Sequence, residues 1–132
     1  MSDLLESIRD RAHVYRQRIV LPEGVDDRIL QAAEILAREQ IAQVIVLGDA
    51  ESIRARAAAM NLGLAGVTLV DPQQDPRRER FAALYYERRR SKGVTLEEAH
   101  AISSRPLYFA DLMVANGDAD GSVGGATNTT AE

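Results

Sequence analysis

The chain has 132 residues, 45% of them hydrophobic and 27% charged, which is one domain's worth of sequence with enough apolar content for a true core. A formal net charge of −4 disfavours nucleic acid or an anionic membrane surface as the main partner, since proteins that bind those carry a net basic face. No cysteine occurs, so disulfides, thiolate metal sites and cysteine nucleophiles are excluded within these residues.

Leu4, Leu5, Ile8, Ala12 and Tyr15 recur at helical spacing and predict an amphipathic helix over about Ser2 to Tyr15. The stretch from Met1 to Arg18 is charged throughout and lacks the apolar run of a signal peptide, and no later segment approaches the ~20 apolar residues that span a bilayer. A cytoplasmic location is expected. Arg18 to Leu21 reads as a short strand broken by Pro22-Glu23-Gly24. Asp26 or Asp27 caps a helix whose stripe is Ile29, Leu30, Ala33, Leu36 and Ala37. Val44 to Leu47 is a continuous apolar run ended by Gly48-Asp49, which suits a strand buried on both faces of a parallel sheet. A helix over about Ala50 to Met60 and a strand at Val67 to Val70 complete a β-α-β-α-β alternation, so an open α/β sheet covered by helices on both faces is predicted.

Asp75-Pro76 places a capping acid before a proline at the first helical position, and Phe81, Leu84 and Tyr85 supply the stripe of a long helix ending near Gly93. Thr95 and Glu98 have the spacing of a capping box, and Pro106 to Val114 predicts one more helix. His13 and His100 stand apart, without clustered ligands, and suggest no metal site. Glu23 is accounted for by the polarity of its turn.

From Gly117 to Ala131 the sequence gathers four glycines and three threonines. Glycines let backbone N–H groups approach a ligand closely, and a helix start at the threonines would favour an anion. In an open α/β sheet such a segment belongs at the carboxyl end of a strand, here a short one near Gly121 to Val123. Asn116, Asp118, Asp120 and Gly121 match the first half of a calcium loop, but Thr127 stands where the bidentate glutamate is required. No Gly-Lys-Ser/Thr follows the glycines, so a Walker loop fails as well. The residues alone leave an anion site and a plain strand-to-helix turn equally open.

Three segments resemble one family, the phosphate acetyl/butyryltransferases. Arg18 to Gly24 is similar to its opening strand and turn. Tyr86 to Gly93, with Glu87, Arg88, Arg89, Arg90 and Lys92, resembles its segment of glutamate, arginine, lysine and glycine. Asp118 to Gly121, continued to Thr129-Thr130-Ala131, resembles its loop of aspartate-glycine, small residues and paired hydroxyls.

The resemblance implies an α/β fold, three-layer α/β/α with a mostly parallel open sheet of isocitrate/isopropylmalate dehydrogenase type. It implies that residues 1–132 are the N-terminal portion of a phosphate acyltransferase, a single α/β domain cut within the Gly/Thr substrate loop and inactive alone. The implied activity is the phosphate acetyltransferase reaction, acetyl-CoA plus phosphate giving CoA plus acetyl phosphate. Coenzyme A is then a substrate, with no covalently bound cofactor and no metal, and the complete protein is a homodimer. Arg89, Gly121, Gly125, Thr129 and Thr130 carry over as substrate-binding positions, whereas the catalytic aspartate and serine belong to a region after Glu132. Gly124 departs from the family's serine or alanine, and Asn128 from its frequent histidine. Phosphate butyryltransferase, or a non-catalytic acetyl-CoA-binding domain like the one fused to malic enzymes, is the alternative.

Overall fold

The computed structural model describes residues 17–124. The helix expected over Ser2 to Tyr15 and the loop from Gly125 onward lie outside the described residues. Four parallel strands are β1 (Arg18–Leu21), β2 (Gln43–Leu47), β3 (Val67–Val70) and β4 (Gly121–Ser122), in the spatial order β3-β2-β1-β4. Helices α1 (Asp27–Arg38) and α2 (Ala50–Ala59) connect the first three strands, and α3 (Arg78–Arg89), α4 (Leu96–Ser103) and α5 (Pro106–Ala115) lie between β3 and β4.

The strand side chains alternate between two cores. Val20 and Leu47, with the half-buried Ile45 and Val70, face Phe81, Phe109, Ala110, Leu112 and Met113 of α3 and α5. Leu21, Val44 and Val46 face Leu30 and Ala33 of α1 and Ile53 of α2. The sheet is thus covered on both sides, which explains why its strands read as unbroken apolar runs and not as polar-apolar alternation. Burying a side chain such as Phe81, Phe109 or Leu30 completely contributes roughly 1.5–3 kcal/mol each, enough to fix which helix lies on which face. This is the three-layer α/β/α architecture that the sequence predicts.

The helix starts follow local chemistry. Asp26 accepts a hydrogen bond from the Arg28 N–H at 2.9 Å, and Asp49 one from Ser52 at 2.9 Å. Thr95 and Glu98 form the full capping box of α4. At α3 the outcome differs from expectation: the helix begins at Arg78, because the Asp75 carboxylate is held by the Arg77 N–H at 2.9 Å and by its guanidinium at 2.8 Å in a turn that precedes the helix. Gly93, at φ 90°, ends the short 3-10 turn that follows α3.

Candidate functional site

The chain steps from β1 to β2 to β3 in one direction and then places β4 on the far side of β1. The reversal makes the crevice at the carboxyl ends of β1 and β4 the switch point, where open α/β sheets bind ligands. A cavity of about 390 Å³ opens beside it, at the carboxyl ends of β1 and β2. Its floor is Leu47 and Gly48 at the end of β2, one wall is the Pro22-Glu23-Gly24 turn after β1, and the other is the first turn of α5 with Arg105, Leu107 and Tyr108.

Gly24 lets the turn lie flat across β2: its N–H donates to the Leu47 carbonyl at 3.2 Å, and a Cβ would stand 2.3 Å from that oxygen. The turn brings Glu23 into the wall, where only 4% of it remains exposed. Opposite, Pro106 occupies the first position of α5, and Arg105 makes no capping bond with its side chain. The free N–H groups of that first turn and the helix's positive end therefore border the same space as the Glu23 carboxylate.

Helix α3 reaches toward this end of the molecule. The Phe81 and Phe109 rings meet at 4.8 Å and those of Tyr85 and Tyr108 at 5.9 Å, both edge-on. At the other end of α3, Arg77 approaches Asp118 at 3.7 Å, just past the end of α5. The two helices are therefore antiparallel. Arg89 lies one turn beyond Tyr85, about 6 Å further along α3, and is exposed. Among the described residues its guanidinium has no ion pair or side-chain hydrogen bond, whereas Arg90 pairs with Glu87 at 3.7 Å.

The remaining predicted positions divide. Gly121 begins β4 opposite Ile19, where a Cβ would be in ordinary contact at 3.6 Å, so it lies in the strand ahead of the loop. Gly125, Thr129 and Thr130 lie outside the described residues. Gly124 touches the cavity wall: its added Cβ would meet Leu107, Pro22 and Glu23. The acids of the calcium-like spacing hold the fold together instead. Asp118 accepts from Asn116 at 2.7 Å, and Asp120 holds Arg18 through the backbone N–H at 2.8 Å and through the guanidinium. Among the described residues no group of three His, Asp or Glu is arranged to hold a metal ion.

The sequence accounts for Glu23 by the polarity of its turn and marks neither Arg105 nor Tyr108, which the structure brings to the same cavity. The usable signal was position, because Pro22-Glu23-Gly24 leaves a buried strand at the end where ligands collect.

The sequence model of the phosphate acetyl/butaryl transferase family matches residues 3–132. The chain belongs to this family. It is 45% identical over 122 residues to phosphate acetyltransferase of Nitratidesulfovibrio vulgaris, covering 92% of this chain and 17% of that protein. To phosphate acetyltransferase of Corynebacterium glutamicum it is 50% identical over 121 residues, covering 92% of this chain and 37% of the relative. Its fold matches EutD phosphotransacetylase from Staphylococcus aureus with a TM-score of 0.85 at 33% identity, over 98% of this chain and 39% of that one. A phosphotransacetylase from Streptococcus pyogenes gives 0.86 at 29% identity, over 99% and 40%. The chain thus spans well under half the length of the family members it resembles.

Proposed function

We propose that this family member takes part in phosphate acetyl transfer, moving an acetyl group between coenzyme A and inorganic phosphate. The observation that carries the reading is the cavity at the carboxyl ends of β1 and β2, walled by the Pro22-Glu23-Gly24 turn and by the first turn of α5. In the thioester-forming direction the CoA sulfur attacks the acetyl carbon of acetyl phosphate. The C–S bond forms, the C–O bond to phosphate breaks, phosphate leaves and the thiol proton passes to a base.

This chain supplies binding groups. Arg89, exposed and without a side-chain partner among the described residues, offers a planar fork for phosphate oxygens that lysine does not reproduce. Gly121 at the start of β4 and, outside the described residues, Gly125, Thr129 and Thr130 are the further substrate-binding positions of this reading. The base and the oxyanion donors come from residues beyond these 132. The working protein is a cytoplasmic homodimer.

The test replaces the matching segment of the Corynebacterium glutamicum relative with this chain and measures thioester formation from acetyl phosphate and CoA. Turnover is expected in the graft. Arg89→Ala should lower kcat/KM at least roughly tenfold, the ~1.4 kcal/mol of a charge-assisted hydrogen bond, and Arg89→Lys should not restore it. A folded but silent graft beside an active parent rejects the reading, while an unchanged kcat/KM in Arg89→Ala removes only Arg89.

A further inference from the structure

Resting on the acyl-transfer reading, we propose that Gly124 sets the length of the acyl group that the cavity accepts. An added Cβ at Gly124 would stand 2.9 Å from Leu107 Cδ2, 3.3 Å from Pro22 Cγ and 3.5 Å from Glu23 Oε1. All three residues line the cavity. The backbone here has little room to retreat, because β4 is paired to β1 and the Val123 N–H donates to the Val20 carbonyl at 3.0 Å. Pro22 is a rigid ring, fully buried, and Glu23 is buried as well. The group that yields is the end of the Leu107 side chain, and the open space beside it is the cavity.

The size and chemistry of the space fit an alkyl chain. A cavity of about 390 Å³ far exceeds a two-carbon group, given that one water, close in size to a methylene, takes about 30 Å³ of liquid volume. Val25, Leu47, Pro106, Leu107 and the Tyr108 ring give it mainly apolar walls. In such a pocket one methylene changes discrimination by roughly 10- to 200-fold. A side chain at position 124 therefore acts on the longer substrate first, because acetyl leaves the displaced Leu107 room to stand in the cavity.

The experiment compares acetyl phosphate with butyryl phosphate, with CoA as acceptor, in the grafted protein. Gly124→Ala is expected to lower the butyryl-to-acetyl ratio of kcat/KM at least roughly tenfold, and the added change Leu107→Ala to restore it. Leu107→Phe fills the same space from the α5 wall without touching the backbone at Gly124, and is expected to lower the ratio likewise. A ratio unchanged in both Gly124→Ala and Leu107→Phe, with acetyl turnover retained, overturns the proposal. A raised KM for CoA at constant ratio also overturns it, by assigning the cavity to the CoA arm. If neither ester is turned over before any substitution, the acyl-transfer reading itself fails and this proposal with it.

Discussion

At Gly24 the nearest neighbours of an added methyl are the Leu47 carbonyl oxygen at 2.3 Å, Ile53 Cδ1 at 2.9 Å and Val46 Cγ1 at 3.0 Å. The oxygen belongs to β2, which is paired on both edges, so it cannot move without disturbing the sheet. Gly24→Ala is expected to destabilise the chain by roughly 3 kcal/mol, the upper range for forcing a methyl into closed space. Gly63 provides the comparison, because nothing lies within 4 Å of its Cβ position and Gly63→Ala should stay within about 0.5 kcal/mol. Urea midpoints of both variants decide the matter; equal midpoints would mean that the turn over β2 relaxes freely. Glu23 shows why the neighbouring residue was harder to read. A glutamate after a strand is ordinarily solvated, and this one is buried in the cavity wall, an environment that no local pattern announces.

Helix α4 has only eight residues, too few to persist without its cap and its packing against α3. Thr95 Oγ1 accepts the Glu98 N–H at 3.1 Å, and the Glu98 carboxylate accepts the Thr95 N–H at 3.3 Å. Thr95→Ala should cost about 1 kcal/mol. Amide exchange should speed up within α4 while β1 and β2 keep their protection; uniform acceleration would instead make α4 part of the global unfolding unit. This element was legible because its signal is local, and the same holds for α1, α2 and the three longer strands. The start of α3 was misplaced because Arg77 engages the acid that was expected to cap the helix. Strand order was not legible at all. β4 is two residues long, and its place beside β1 is set by backbone pairing to Ile19 and Val20, which leaves no side-chain pattern to read. The switch point follows from that placement.

Across the described residues, the cavity and the ion pairs of Arg18 and Arg77 lie at opposite ends of the sheet. The cavity occupies the carboxyl ends of the strands, while ion pairs close the amino ends. Arg18 at the start of β1 grips Asp120, just ahead of β4, at 3.2 Å, and Arg77 joins Asp75 at 2.8 Å to Asp118 at 3.7 Å. Hydrogen bonds from Arg18 hold the Asp120 carboxyl below its ordinary value of 3.8, and those from Arg77 do the same for Asp75. Both carboxyls are lowered in the folded state, so between the folded value and the ordinary one the unfolded chain binds more protons. Stability therefore rises with pH through that window, is complete above it and is lost as pH falls through the folded value. Asp120→Asn removes one of these groups. The variant should be less stable than the parent at neutral pH, and the gap between their urea midpoints should close as pH drops below 3.8. Asp49 and Asp75, also lowered, leave residual acid sensitivity in the variant. A gap that stays constant down to low pH would mean that the Arg18 contact acts through geometry alone. Since Asp120 introduces β4, and β4 carries Gly124 to the cavity edge, protonating Asp120 should loosen that edge through its scaffold.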